Sequence, residues 1–142
     1  MWIATKYGFF SIVKNMRKKE EPEVQIRARN RGDLEKLRRA FIKNWQKIHG
    51  EKPKYGTKNF PLILDTPEAD YKHRMIVNII HLVHIMSLIC TEIDYPNFKD
   101  MIHDTPDQKD KSLAYSEMWW SMFNYQNGET PFEYAEDSGN WG

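Results

Sequence analysis

Three arginines carry the clearest chemical signal in the sequence. Arg27 and Arg29 occupy alternate positions of residues 23–29, and Arg74 lies in a second alternating stretch, residues 71–77. Alternation by two places residues on one face of a strand. Val24, Ile26 and Ala28 then turn one way, and Gln25, Arg27 and Arg29 the other. Lys72, Arg74 and Ile76 likewise separate from Tyr71, His73, Met75 and Val77. A planar guanidinium fork matches phosphate or carboxylate, and Trp2, Phe9 and Phe10, with Lys14, add aromatic and basic neighbours. The competing reading is a solvated basic sheet face, offset by carboxylates such as Glu23.

A second basic surface lies on a helix face carrying Lys36, Arg38, Arg39, Lys43 and Lys47, with Arg17, Lys18 and Lys19 in the loop before it. Such a surface neutralises phosphates in a salt-dependent way, but it equally describes ordinary solvation or pairing with an acidic region. His81 and His84 are three apart on one helix, with His73 and His103 elsewhere. They have no carboxylate at ligand spacing and no cysteine pair, so neither a metal nor a cofactor is expected. Cys90 falls inside the most apolar segment, where a thiol packs as a small hydrophobe. No nucleophile elbow or glycine-rich phosphate loop appears, and no catalytic residue is assigned. Asp94, Asn97, Lys99 and Asp100 form a polar cluster suited to acid–base chemistry or, more plainly, to capping and charging helix ends.

These side chains need elements to hold them. The 142 residues carry 40% apolar and 13% aromatic side chains, which excludes a disordered tail. Residues 2–14 read as one strand with a bulge or bend at Gly8. Residues 15–22 form a hairpin loop, and residues 23–29 the second strand. A helix capped by Asn30 or Gly32, with Asp33 in its first turn, buries Leu34, Leu37, Phe41, Trp45 and Ile48 and stops at Gly50. A long connection over 49–69 holds a short strand near Leu62. Residues 71–77 make another strand, and Asn78 caps an almost wholly apolar helix that should be the most buried element. Thr105, Pro106 and Gln108 form a capping box for a last helix running to Tyr125, with a similar pattern at Thr130. Neighbours on a helix diverge by ~100°, so either Trp119 or Trp120 is expected at the rim, where it would mark a partner or homodimer contact.

The expected fold class is therefore α+β: two layers, with a three-stranded or slightly larger antiparallel sheet and helices on one face, in the order β-β-α-β-α-α. One domain over 1–126 and an acidic tail over 127–142 follow. The net charge of +1 hides a split: residues 1–60 hold 16 basic against 6 acidic side chains, and residues 61–142 hold 5 against 14. No apolar run approaches the ~20 residues of a membrane span, no leader is expected, and a lone cysteine suits a reducing, cytoplasmic setting.

Several segments resemble a family of small uncharacterised bacterial and phage-associated proteins without established activity. They are Met1, Trp2 and Thr5 with residues 8–13; Arg27, Arg29, Arg31, Asp33 and Leu34; Asp70, Tyr71 and Arg74; Asp94, Asn97, Lys99 and Asp100; and Tyr115 before Trp119. The resemblance runs through residues 1–125 and implies that Arg27, Arg29, Asp33, Arg74, Asp94, Asn97 and Lys99 are positions to watch. The functional expectation is a small cytosolic binding protein that engages an anionic partner: a nucleotide, a nucleic acid or an acidic protein surface. Arg27, Arg29, Arg74 and Trp2 would bind, with Lys36, Arg39 and Lys43. A phage or mobile-element inhibitor of host defence fits the size. The alternative is a nucleic-acid- or nucleotide-processing enzyme using Asp94 and Asp100 with Arg27 and Arg29.

Overall fold

The computed structural model describes residues 1–54 and 61–128. Packing groups the chain into two compact units, Met1–Pro96 and Asn97–Gly142.

The first unit holds a five-stranded antiparallel sheet and two helices, so the fold is α+β. Its elements are β1 (Trp2–Thr5), β2 (Gly8–Lys14), β3 (Glu23–Ala28), α1 (Arg31–His49), β4 (Ile63–Asp65), β5 (His73–Asn78) and α2 (Ile79–Thr91), and the sheet order is β1-β2-β3-β5-β4. Strands β2, β3 and β5 turn Phe10, Ile12, Ile26, Ala28, Met75 and Val77 to one side, where α1 adds Leu34, Leu37 and Phe41 and α2 adds Leu82 and Ile85. Burial of such side chains stabilises by roughly 1.5–3 kcal/mol each, so this layer supplies the unit's main cohesion. The opposite face of the sheet carries Trp2, Phe9, Ser11, Gln25, Arg27 and Arg74.

Residues 2–14 are two strands rather than one. Thr5 causes the break: its hydroxyl accepts from the amides of Tyr7 (3.1 Å) and Gly8 (3.3 Å) and donates to the Gly8 carbonyl, closing a turn over Lys6 and Tyr7. Gly8 sits at φ +151°, in glycine territory, with the Asp33 side chain packed where a Cβ would project. The sheet thus gains β1 as a separate strand at one border, while β4 at the other border is the short strand expected near Leu62.

Helix α1 begins as expected. The Asn30 side chain accepts from the Gly32 amide (2.8 Å), and Gly50, at φ +77°, closes the helix by donating to Gln46. Ile48, expected in its apolar stripe, is 62% exposed at the penultimate position of the helix. Helix α2 is capped by Asn78, but it is not the most buried element. Only His81, Leu82 and Ile85 are buried, while Ile80 and Val83 face solvent. Its packing partners, β3, β5 and α1, cover one stripe of a helix that is apolar nearly all round.

The second unit contains α3 (Phe98–Asp104) and α4 (Ser112–Gln126), with Ile102 and Tyr115 buried and the Phe98 and Tyr115 rings edge to face at 5.2 Å. The capping box at Thr105 does not start the last helix. The Thr105 hydroxyl instead donates back to the Met101 carbonyl (2.7 Å), closing α3, and α4 begins only at Ser112. Trp119 and Trp120 are both exposed, as are Leu113, Met122 and Phe123, so both tryptophans, not one, reach the surface. The acidic residues from Glu129 on, the pattern at Thr130 and residues 55–60 of the long connection lie outside the described residues.

Candidate functional site

The pairing register assembles a single row across the sheet. Trp2 stands opposite Ser11, Ser11 opposite Arg27, Arg27 opposite Arg74, and Arg74 opposite Leu64. Directly paired residues share a face, so the row lies on the side turned away from α1 and α2. Arg27 and Arg74 are like charges in direct cross-strand register, an arrangement that costs stability unless something compensates it.

Neighbouring groups hold each guanidinium. Arg27 donates through Nη2 to the Ser11 hydroxyl (2.7 Å), while its Nε is buried without a partner. Arg74 donates to Gln25 Oε1 (3.0 Å), Thr66 Oγ1 (3.1 Å) and the Tyr71 carbonyl (3.1 Å). Gln25 in turn donates to Asn15 Oδ1 (3.0 Å), and the Asn15 amide donates to Glu23 (3.0 Å). A largely buried polar chain therefore runs along this face and fixes where Arg74 points. Burial first, then the charges of Arg27 and Arg17, lower the Arg74 pKa from its ordinary value, with Asp70 opposing.

Tyr71 organises the cluster from below. Its ring is 4% exposed, with the Arg27 guanidinium 4.7 Å and the Arg29 guanidinium 4.2 Å from its centroid. Asp70 fixes the turn by accepting from the Tyr71 amide (2.8 Å), and its carbonyl accepts from Arg29 (3.3 Å). Among the described residues no carboxylate comes within ion-pairing distance of Arg27, Arg29 or Arg74. Nearby cations are compensated: Arg31 pairs with Glu35 and Asp65, and Lys18 with Glu21 and Glu23.

Trp2 completes the row. It is 66% exposed, and its ring meets Phe9 edge to face at 6.1 Å. Phe9 precedes Ser11 by two residues and so lies on the same face.

The remaining sequence candidates lie elsewhere. Lys36, Arg39 and Lys43 belong to α1, on the other side of the sheet, where Arg39 and Lys43 border a shallow depression and Lys36 lies 4.0 Å from Asp33. Asp33 is buried at the start of α1. Asp94 is exposed at the end of the first unit. In the second unit Asn97 caps α3 by accepting from the Asp100 amide, and the Lys99 ammonium lies 4.5 Å from the Trp119 ring centroid. Lys99 and Asp100 line a cleft of about 250 Å³ with His103, Ser112 and Tyr115.

The histidines do not converge on a ligand. His81 and His84 pack around Trp45 and Phe41 with His49, and His84 shares a 2.7 Å hydrogen bond with Asn44. His73 pairs with Asp65 (2.8 Å), and His103 sits in the second unit. Among the described residues no three His, Cys, Asp or Glu side chains gather as metal ligands would, and no helix is long and apolar enough to cross a membrane. Cys90 is exposed rather than buried.

Sequence reasoning missed Tyr71, Ser11 and Thr66. Alternation extended through residue 71 sends Tyr71 to the core side, yet β5 begins only at His73, and the preceding turn swings the ring under the arginines. The available signal was Thr66 and Asp70, both turn-forming types, flanking the aromatic. The chain matches no protein-family model, no curated protein and no solved structure.

Proposed function

We propose that this chain is a binding protein, not an enzyme, and that it engages an anionic partner through the sheet face bearing Arg27, Arg29 and Arg74. One observation carries the reading. Two guanidiniums, those of Arg27 and Arg29, lie over one buried tyrosine ring, and a third, Arg74, stands in direct register with Arg27 and donates to the same tyrosine's carbonyl, without a described carboxylate to neutralise them. Such a cluster costs stability in the free protein, and a phosphate or carboxylate seated among the forks would offset that cost with charge-assisted hydrogen bonds. Arg39 and Lys43, separated from this face by the sheet and α1, are ordinary solvated charges in this reading. Asp94 and Asp100 fall in different units, and Asp100 serves the cap of α3, so no observation favours the enzyme alternative. A homodimer through Trp119 or Trp120 belongs to the same proposal only as a separate contact: both rings are exposed in the second unit. Nothing on the arginine face selects a host-defence protein as the partner.

Heparin-column elution tests this reading. Arg27→Gln with Arg29→Gln should elute at clearly lower salt than the unsubstituted protein, while Arg39→Gln with Lys43→Gln and Asp100→Asn should shift elution little. The reverse ranking would refute the assignment.

A further inference from the structure

We infer that the anion met by this face is the backbone of a single-stranded nucleic acid, with a base stacked at Trp2 and phosphates at Arg27 and Arg29. The inference rests on the anion-binding reading above and narrows it to one class of ligand.

Trp2, Ser11, Arg27 and Arg74 occupy four neighbouring strands in one register row. Strands lie about 4.8 Å apart, so the row extends for roughly 14 Å from indole to the far guanidinium. That span exceeds one nucleotide, and its ends differ in chemistry. At one end stands an exposed indole, backed by Phe9, which has no packing role for its outer surface. At the other stands a cationic cluster whose aromatic, Tyr71, is already covered by guanidiniums and cannot take a base. A base needs a π surface, and its neighbouring phosphates need forks a short step along the chain, which is the division this row presents. The sheet face suits a strand with unpaired bases better than a duplex, whose bases are stacked on one another and present no free π face to Trp2. An acidic protein surface would use the arginines but would leave the indole idle.

Charge complementarity supports the same occupant. Arg17 adds to the positive field felt at Arg74, and Arg29 is exposed beside the cluster. Gln25 and Asn15, held in the buried polar chain, keep Arg74 fixed, so the cluster is organised before a ligand arrives.

The test is fluorescence anisotropy of a labelled oligodeoxythymidylate of about 15 nucleotides, a length within single-strand site sizes. Inorganic pyrophosphate, a duplex of the same length and polyglutamate serve as competitors. The expected result is preference for the single strand over the duplex. With two phosphate contacts, at Arg27 and Arg29, the salt slope is about −1.4, from ~0.7 per contact on single strands. Trp2→Ala, at an exposed position that leaves the fold intact, should weaken oligonucleotide binding by roughly 5- to 150-fold, the equivalent of ~1–3 kcal/mol of stacking, without changing pyrophosphate affinity. Arg29→Ala should reduce the magnitude of the salt slope by ~0.7. Equal binding of duplex and single strand, or an unchanged affinity in Trp2→Ala, overturns the single-strand assignment. If pyrophosphate still binds in an arginine-dependent way, the anion-binding reading survives that failure. Polyglutamate displacing the probe more effectively than unlabelled oligonucleotide moves the occupant to an acidic protein. Failure of all four anions to bind removes both readings.

Discussion

The carboxylate of Asp33 occupies the space a side chain would need at Gly8: a Cβ placed there would lie 2.3 Å from Asp33 Oδ2. Asp33 is buried in the first turn of α1, and Gly8 opens β2, so this contact sets the start of the helix against the edge of the first hairpin. Gly8→Ala meets both a clash and a φ of +151°, and should destabilise by roughly 2–3 kcal/mol in a urea titration. Adding Asp33→Ala removes the clashing carboxylate but leaves that residue's Cβ 2.6 Å from the new methyl and the backbone strain unchanged, so the double variant should recover only part of the loss. Full recovery would show that backbone conformation contributes nothing.

Arg74 and Arg29 share one face but should respond differently to truncation. Arg74 satisfies Gln25, Thr66 and the Tyr71 carbonyl, and its removal leaves Gln25 partly unpaired in a buried site. Arg74→Ala should cost about 2–3 kcal/mol of stability by chemical denaturation. Arg29→Ala, at an exposed residue, should change stability by less than ~0.5 kcal/mol while weakening anion binding.

Acid should loosen the seam between α1 and α2. Burial, then the charges of His84 and His49, lower the His81 pKa from the ordinary 6.5, and burial and His49 lower that of His84. The folded state thus favours the neutral rings, and the unfolded chain binds more protons below pH 6.5. Their contribution is present in full above that pH and is lost as pH falls through the lowered folded values. Melting temperature should fall with acidification below about pH 6.5, and His81→Phe, which keeps a ring beside Phe41 and Trp45, should flatten the decline. An identical pH profile in that variant would remove His81 from the account.

Strand β3 and helix α1 were legible because their signals are local. Alternation at Val24, Ile26 and Ala28, a capping Asn30 and a left-handed Gly50 each need only near neighbours. The extra hairpin escaped because the Thr5 hydroxyl does the work usually advertised by an Asn–Gly turn. Tyr71 escaped for a different reason. A ring caught between Arg27 and Arg29, more than forty positions earlier, depends on register between distant strands, which the local pattern does not encode. The start of α4 was misplaced because Thr105 chose the carbonyl behind it over the amides ahead. Arg27, Arg29 and Arg74 themselves were visible as one face, since period-two alternation is all that placing them requires.

Alkali should act on another joint. The Tyr7 hydroxyl donates to Glu92 (2.6 Å), which also pairs with Lys6, tying the first turn to the end of α2. Burial, then the hydrogen bond and charge of Glu92, raise the Tyr7 pKa above the ordinary 10.0. The folded state holds the phenol neutral, so this contribution is complete below pH 10 and declines as pH rises further. Spectrophotometric titration at alkaline pH should show one tyrosine ionising only with unfolding, and Tyr7→Phe should abolish that component. A late phenol that persists in the variant would assign it elsewhere.

The sheet's longest strands, β2, β3 and β5, lie inside it, and its two shortest, β1 and β4, form its borders with four and three residues. A short border offers few unpaired amides and carbonyls to an incoming chain, so it is a poor template for strand addition and for the stacking that starts aggregates. Whatever meets this sheet has little purchase along its rim and must come down upon its flat side.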